Sequence, residues 1–226
     1  MIKVNRNVLE VIGLASLAGL LYSSWPLGYL LNPVANRGLA SNLQGVGQPY
    51  NWLFIILDVI SGAIVCRVAW RLYKDFKPRR HNLIKTAIIS YALFGVFTVI
   101  DALIPVDCAA DEMQCGPLIN HPLVLWHGAL SIASIAFLTL SLFSVWWLVN
   151  RVRLSAWWVQ SALHITVLVW LFFGFVTAVL LYLNKSSSLS QHIFILVCSL
   201  WTGTLPYVLH LERINKPLFK PQPKRL

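Results

Sequence analysis

Hydrophobic residues are grouped along this chain into six long runs, separated by short polar segments. The runs cover about residues 8–31, 50–72, 83–105, 122–149, 157–183 and 191–211. Each is close to the roughly 20 apolar residues that a helix needs to cross a bilayer core about 30 Å thick. Runs such as Leu163 to Leu183 do not alternate apolar and polar residues, as the strands of a membrane barrel do. The pattern therefore predicts an all-α, polytopic bundle of six transmembrane helices.

Composition supports this fold class. Apolar residues make up 58% of the 226 residues, charged residues make up 12%, and the mean hydropathy is +0.69. These values exclude a soluble domain of this length. We expect residues 1–215 to form one transmembrane domain and residues 216–226 to form a basic, proline-containing tail. The first apolar run is longer than the roughly 7–15 apolar residues of a signal sequence, so we expect it to remain as a span.

Lysine and arginine are distributed unequally between the two ends of the predicted helices. Sixteen of the eighteen fall near the chain termini and near the connections after the second and fourth spans, whereas Arg37 and Lys185 fall on the other side. Because cytoplasmic segments hold the excess of these residues, we predict an inner-membrane protein with both termini in the cytoplasm. The net charge of +10 follows from this topology, so nucleic acid is not an expected partner.

The connection between the third and fourth predicted spans is rich in reactive side chains. It contains Asp101, Asp107, Cys108, Cys115 and His127. The predicted orientation places this connection in an oxidising compartment, which favours a disulfide between Cys108 and Cys115. The alternative is a redox pair or a metal site, although the six intervening residues do not match the Cys-x-x-Cys spacing.

Several polar side chains are expected to meet near the outer leaflet. Asp58 lies in the outward half of the second span, and Asp101 lies near the outward end of the third. His127 begins the fourth span with Ser131 one turn further on the same face, and His192 opens the sixth. Ionisable groups at membrane depth are costly, which makes these residues candidates for function. The alternative for each is a structural role in helix packing or in bracing a loop.

Imidazoles and carboxylates in this combination can hold zinc with one open position and lower the pKa of a bound water to about 7. The predicted ligands are Asp101, His127 and His192, with Asp58 or Asp107 as the general base. Zinc is therefore the candidate cofactor, although no pair of these residues has the spacing of a His-Glu-x-x-His motif.

The same segment resembles a known family. Asp-x-x-x-Pro-x-Asp-Cys at Asp101–Cys108, the second cysteine at Cys115, and the pair His121 and His127 are similar to a family of bacterial and archaeal multi-span membrane proteins described only as a domain of unknown function. Two earlier segments also fit that pattern, Pro26-Leu27-Gly28 and Asn51-Trp52-Leu53-Phe54. The resemblance extends to about residue 145 and implies a helical bundle.

A more distant resemblance is to the alkaline ceramidase and adiponectin-receptor superfamily of seven-span hydrolases, whose sites combine serine, aspartate and three histidines. Here Asp101, His127, Ser131 and His192 would supply a comparable set. This chain differs in having six predicted spans, in lacking two closing histidines at one-turn spacing, and in a site that faces outward.

Three classes of function remain open at this point, the last of which is a structural membrane protein whose motif at Asp101–Cys108 only fastens an outer loop. The first is a membrane-embedded hydrolase or lipid-handling protein that acts on a lipid or lipid-linked substrate. The second is non-catalytic: a small transporter, a proton or cation conduit, or a partner subunit, in which Asp58 and Asp101 would be ion sites. The expected partners are membrane lipids and a lipid-like substrate, with a second copy of the chain or another membrane subunit as further candidates.

Overall fold

A computed structural model describes residues 6–33, 39–76, 82–106, 122–152, 157–183 and 188–215. These residues form six long helices, α1 Arg6–Tyr22, α2 Asn51–Phe76, α3 Asn82–Leu103, α4 Pro122–Val152, α5 Trp157–Tyr182 and α6 Ser188–Asn215. The first span is continued after Tyr22 by the short helical segments Trp25–Leu27 and Gly28–Leu31. All six spans are long and apolar enough to cross a membrane. The predicted all-α architecture is therefore confirmed.

Local sequence explains several of the helix ends. The helix of the first span is interrupted at Trp25-Pro26, as the proline predicts. Pro122 opens α4, where its missing N–H would have no intrahelical partner in any case. Leu103 ends α3 two residues before Pro105, which cannot continue a helix. The Asn51 side-chain oxygen accepts the Trp52 N–H at 2.7 Å at the start of α2.

The helices are arranged in sequence around the bundle. α1 packs between α2 and α6, α3 packs between α2 and α4, and α5 packs mainly against α6. We call the end at which residues 23–33 and 39–50 lie the outer end, after the orientation that the basic residues predict. The main cluster of buried apolar residues lies mostly in the inner half of the bundle, and includes Leu72, Ile88, Leu142, Val145 and Leu205. The outer half holds the cavity described below.

Glycines allow two pairs of helices to approach closely. A Cβ added at Gly62 in α2 would lie 2.6 Å from the Gly95 carbonyl oxygen in α3, and one at Gly95 would lie 2.7 Å from the Gly62 carbonyl oxygen. A Cβ at Gly19 in α1 would lie 2.4 Å from the Ser199 carbonyl oxygen in α6. Small residues at such crossings are typical of helices that associate in a bilayer.

Pro206 lies inside α6 and has no N–H for the carbonyl of Thr202, four residues earlier. The Tyr91 hydroxyl of α3 donates a hydrogen bond to that carbonyl at 2.8 Å. Both Tyr91 and Thr202 are fully buried. In a bilayer, a helix proline is tolerated when a neighbouring side chain satisfies the freed backbone group. Tyr91 therefore compensates for Pro206 and joins α3 to α6.

We expect Tyr91→Phe to lower the free energy of unfolding by about 1–3 kcal/mol, because the Thr202 carbonyl would lose its partner in a buried position. Thermal unfolding in detergent measures this loss. Tyr73→Phe is the control, since Tyr73 also lies in a span but is exposed on the bundle surface. Equal melting temperatures for the two variants would contradict the role assigned to Tyr91.

Candidate functional site

A cavity of about 660 Å³ occupies the outer half of the bundle. Side chains from all six spans line it, together with the segment 39–44 that joins the first two spans. Sites that bury a small organic molecule have volumes of about 300–1,000 Å³, so the cavity is large enough for a ligand. Its two carboxylates and its imidazole come from α2, α3 and α4, and much of its apolar wall comes from α4 and α5.

We call the side of the cavity that holds Asp58, Asp101 and His127 the polar wall. Asp101 in α3 lies at its centre. Its Oδ1 lies 3.1 Å from His127 Nδ1, and its Oδ2 accepts a hydrogen bond from Ser131 Oγ at 2.6 Å. His127 Nδ1 also lies 3.2 Å from the backbone oxygen of Asp101. His127 and Ser131 reach the same carboxylate because four residues separate them on α4, which places them on one helical face. These contacts join α3 to α4 at the outer end.

The imidazole of His127 has one nitrogen engaged and one available. Nδ1 faces two Asp101 oxygens, and that contact requires a proton on Nδ1. In the neutral ring Nε2 is then the nitrogen that carries the lone pair, and within the described part of the chain it has no hydrogen-bond partner although it is buried. His127 is 7% exposed and lines the cavity. This geometry suits a proton acceptor or a metal ligand.

Asp58 in α2 forms the second polar contact of the cavity. Its Oδ2 accepts a hydrogen bond from Gln44 Nε2 at 2.5 Å. Gln44 belongs to the short helix Ala40–Gln44, which closes the outer end of the bundle. The carboxylate of Asp58 therefore holds the connecting segment against α2.

Further hydrogen bonds fix this segment over the cavity. The Ala40 N–H donates to Gln191 Oε1 of α6 at 2.8 Å, and the Val46 N–H donates to the Val106 carbonyl after α3 at 2.9 Å. Leu43 packs against Phe54 in a small apolar cluster of its own. Through these contacts residues 39–48 cover the outer mouth of the bundle. We call residues 39–48 the cap.

His192 does not join the Asp101–His127 pair. Its ring stacks on Trp25 with the centroids 4.3 Å apart, and it is 1% exposed. Among the described residues, no three His, Cys, Asp or Glu side chains gather as a metal site. A catalytic zinc usually takes three protein ligands, and of the three predicted ones the described part of the chain brings only Asp101 and His127 into contact.

Other residues of the predicted site lie outside the described part of the chain. These are Asp107, His121 and both cysteines of the predicted disulfide, Cys108 and Cys115. The pairing of the cysteines and the role of Asp107 stay predictions. Cys66 and Cys198 are described and carry free thiols within the spans.

A known family matches most of the chain. The description of that family is "Protein of unknown function (DUF998)", and its match extends over residues 15–206. The chain belongs to the DUF998 family. Six span-length helices and this match together identify a multi-pass membrane protein of an uncharacterised family. The resemblance to such a family was therefore correctly predicted from the sequence.

No curated protein and no solved structure matches the chain. The DUF998 match carries no activity with it, and the resemblance to the ceramidase and adiponectin-receptor superfamily stays a prediction. The chemistry of the site therefore has to be argued from its own geometry.

Sequence reasoning missed several residues that line the cavity. Gln44, Thr98, Thr139, Trp170 and Gln191 were not among the candidates. One signal for part of this set was present, because Gly128, Ser131 and Thr139 belong to a row of small and polar positions along α4, which is otherwise apolar. Gln44 and Gln191 carried no such signal, since polar residues are common at span ends.

Proposed function

We propose that this protein is a lipid-handling membrane protein that holds a lipid or lipid-linked molecule in the outer-half cavity. The observation that carries the proposal is the division of one cavity into two chemically different walls. Asp58, Asp101 and His127 present polar atoms on one side, while Leu171 and Phe175 on α5 present apolar surface on the other. An amphiphile has the same two parts, a polar head and an apolar chain.

The position of the cavity within the membrane supports this proposal. Its apolar wall includes side chains that are also exposed at the bundle surface, where the hydrocarbon of the bilayer would lie: Ile132, Leu171 and Phe175. The cap covers the cavity at its outer end through Gln44 and Ala40. A molecule that partitions into the bilayer therefore meets this cavity more readily than a water-soluble one.

We expect Ala178→Trp to reduce the amount of long-chain amphiphile that copurifies with the protein by about tenfold, because the added ring would occupy space that an apolar chain fills in the wild type. Ala178 lines the cavity from α5 and makes no side-chain hydrogen bond that would be lost. Native mass spectrometry of the protein in mild detergent measures the bound fraction.

Ala136→Trp is the matched control. Ala136 lies in α4, is exposed on the bundle surface, and does not line the cavity. Wild type and Ala136→Trp should carry the same ligand in the same amount. Equal occupancy in all three proteins, or no amphiphile on the wild type after it is supplied with membrane lipid extract, would contradict the proposal.

Hydrolysis is the second candidate function, and His127 is the observation that favours it. With Nδ1–H directed at Asp101, Nε2 would act as the base and would accept a proton from a water molecule that reaches this buried nitrogen from the cavity. The water oxygen would attack the carbonyl carbon of an ester or amide bond in the bound amphiphile. The proton held on Nε2 would then pass to the departing alkoxide or amine, which releases a carboxylic acid and an alcohol or amine.

Ser131 is a positioning residue in this scheme. Its hydroxyl donates to Asp101 and so helps to fix the carboxylate that orients His127. A serine nucleophile would need its proton directed at a base, whereas the Ser131 proton points to Asp101. The scheme uses a water nucleophile for that reason. Zinc bound at His127 Nε2 would lower the pKa of a bound water while Asp101 held the opposite ring nitrogen, and its other protein ligands would have to come from outside the described residues.

A further inference from the structure

α4 and α5, which form much of the apolar wall, diverge toward the outer end of the bundle. At the inner end, Gln160 Nε2 donates to Asn150 Oδ1 at 3.3 Å. At middle depth, the Trp170 indole N–H donates to Thr139 Oγ1 at 3.1 Å. Beyond this last contact α4 follows α3, through the Asp101 contacts of His127 and Ser131. The antiparallel helices α4 and α5 therefore form a V that widens outward.

α5 follows α6 instead over the same outer half. Thr177 Oγ1 donates to Ser190 Oγ at 3.1 Å, and the Trp170 ring meets the edge of Phe194 with the centroids 5.3 Å apart. The cavity occupies the space between the two arms of the V. Ile132 on one arm is 71% exposed and Phe175 on the other is 69% exposed, and both line the cavity. The cavity thus opens sideways, at bilayer depth.

Gly128 lies on the α4 side of this opening. It lines the cavity, and a Cβ added there would meet no atom within 4 Å. The position therefore has open space in front of it that a larger side chain would occupy. It also lies three residues before Ser131 on the same face of α4, and Ser131 contacts Asp101, so the opening lies beside the polar wall.

The charges of the polar wall favour one chemical type of head group in the ligand. Two carboxylates, Asp58 and Asp101, line the cavity, and its lining within the described ranges includes no lysine or arginine. Asp101 faces the imidazole of His127, whereas Asp58 receives its hydrogen bond from the neutral amide of Gln44. A carboxylate at membrane depth is costly without a countercharge. An ammonium head would supply that charge and would donate hydrogen bonds to both carboxylates, while a phosphate head would be repelled.

We infer that the ligand is a long-chain amphiphile with a cationic amine head, which passes from the bilayer between α4 and α5 and places its head at Asp58 and Asp101. The inference rests on the proposed function, since it specifies the head and the route of the molecule held in the cavity. Gly128 controls the width of the route, and Asp58 selects the head.

Quenching of Trp170 fluorescence tests both the preference for a cationic head and the route between α4 and α5. Trp170 lines the cavity and is 3% exposed, so bromine atoms on an alkyl chain quench it most strongly from within the cavity, and quenching from the surrounding bilayer is the same for probes that share one chain. The protein is placed in nanodiscs of zwitterionic phospholipid, and the probes are octadecylamine, octadecanol and octadecyl phosphate with the same brominated chain. Subtracting the signal of Trp170→Phe isolates Trp170 from the other tryptophans. Concentrations are expressed as mole fraction in the nanodisc.

Octadecylamine should quench Trp170 at a mole fraction about tenfold lower than octadecyl phosphate, with octadecanol between them, since one close charge pair is sufficient for such a difference. Asp58→Asn should reduce the difference between the mole fractions of octadecylamine and octadecanol that are needed to quench Trp170. Asp58→Glu should restore that difference. Gly128→Leu should raise the required mole fraction of every probe. Gly13→Leu is the control, because Gly13 also faces open space, on the α1 surface away from the cavity.

The outcomes distinguish a failure of the cationic head or of the route from a failure of the proposed lipid binding. Quenching by octadecyl phosphate that equals or exceeds quenching by the amine would overturn the cationic head. Quenching in Gly128→Leu that equals the wild type would overturn the route between α4 and α5. Either result would leave lipid binding in the cavity intact, whereas failure of all three probes to quench Trp170 in the wild type would overturn the proposed function itself.

Discussion

His127→Ala should lower hydrolysis of a long-chain carboxylic ester by about 10²–10⁴-fold, the usual contribution of a general base. The loss follows from the removal of Nε2, the buried nitrogen that is free to accept a proton from water. Asp101→Asn should cause a smaller loss, because the imidazole would keep its contact with the backbone oxygen of residue 101 and would lose only the carboxylate charge beside Nδ1. A chromogenic ester in mixed micelles, followed by absorbance, gives the rates for all variants.

His164→Ala is the control for this prediction. His164 also lies in a span, but its Nδ1 is 2.7 Å from the Gln160 carbonyl oxygen in α5, and it does not line the cavity. Its replacement should leave the rate unchanged. Zinc content measured on the same preparations shows whether Asp101 and His127 act with a metal. A wild type without turnover, with and without added zinc, would remove hydrolysis and leave lipid binding as the function.

Gly62→Ala should be strongly destabilising, because it adds a methyl group where α2 and α3 are in backbone contact. The new Cβ would lie 2.6 Å from the Gly95 carbonyl oxygen and 2.7 Å from a Val99 methyl group. α2 and α3 would have to separate, because neither backbone can move alone at this crossing. Overpacking of this kind costs about 1–3 kcal/mol and occasionally more. The melting temperature of the detergent-purified protein reports the loss.

Gly13→Ala provides the comparison, since its Cβ would meet no atom within 4 Å in α1. That variant should be as stable as the wild type or slightly more stable, because alanine favours helix over glycine by about 1 kcal/mol. If Gly62→Ala were also neutral, α2 and α3 would not be in backbone contact at Gly62 and Gly95, and the packing described for this pair would be wrong.

The sequence by itself determined the number, the approximate bounds and the helical character of the spans. Each depends on a local property, the length of an apolar run, which the bilayer thickness converts directly into a helix. The interruption at Trp25-Pro26 was predictable for the same reason, since a proline acts on its own helix. Asp101, His127 and Ser131 were found because charged and polar residues are rare within spans and therefore conspicuous.

Only the tertiary structure decided which of the candidates meet. His192 has the same residue type and the same predicted depth as His127, yet one stacks on Trp25 and the other contacts Asp101. That difference depends on the rotation of each helix about its axis, which a nearly uniform apolar run does not specify. The Gln44–Asp58 contact depends on the path of the cap. The cavity itself exists because α4 packs on α3 and α5 packs on α6, so the two helices separate at one end, and such a choice of neighbours is a property of the whole bundle.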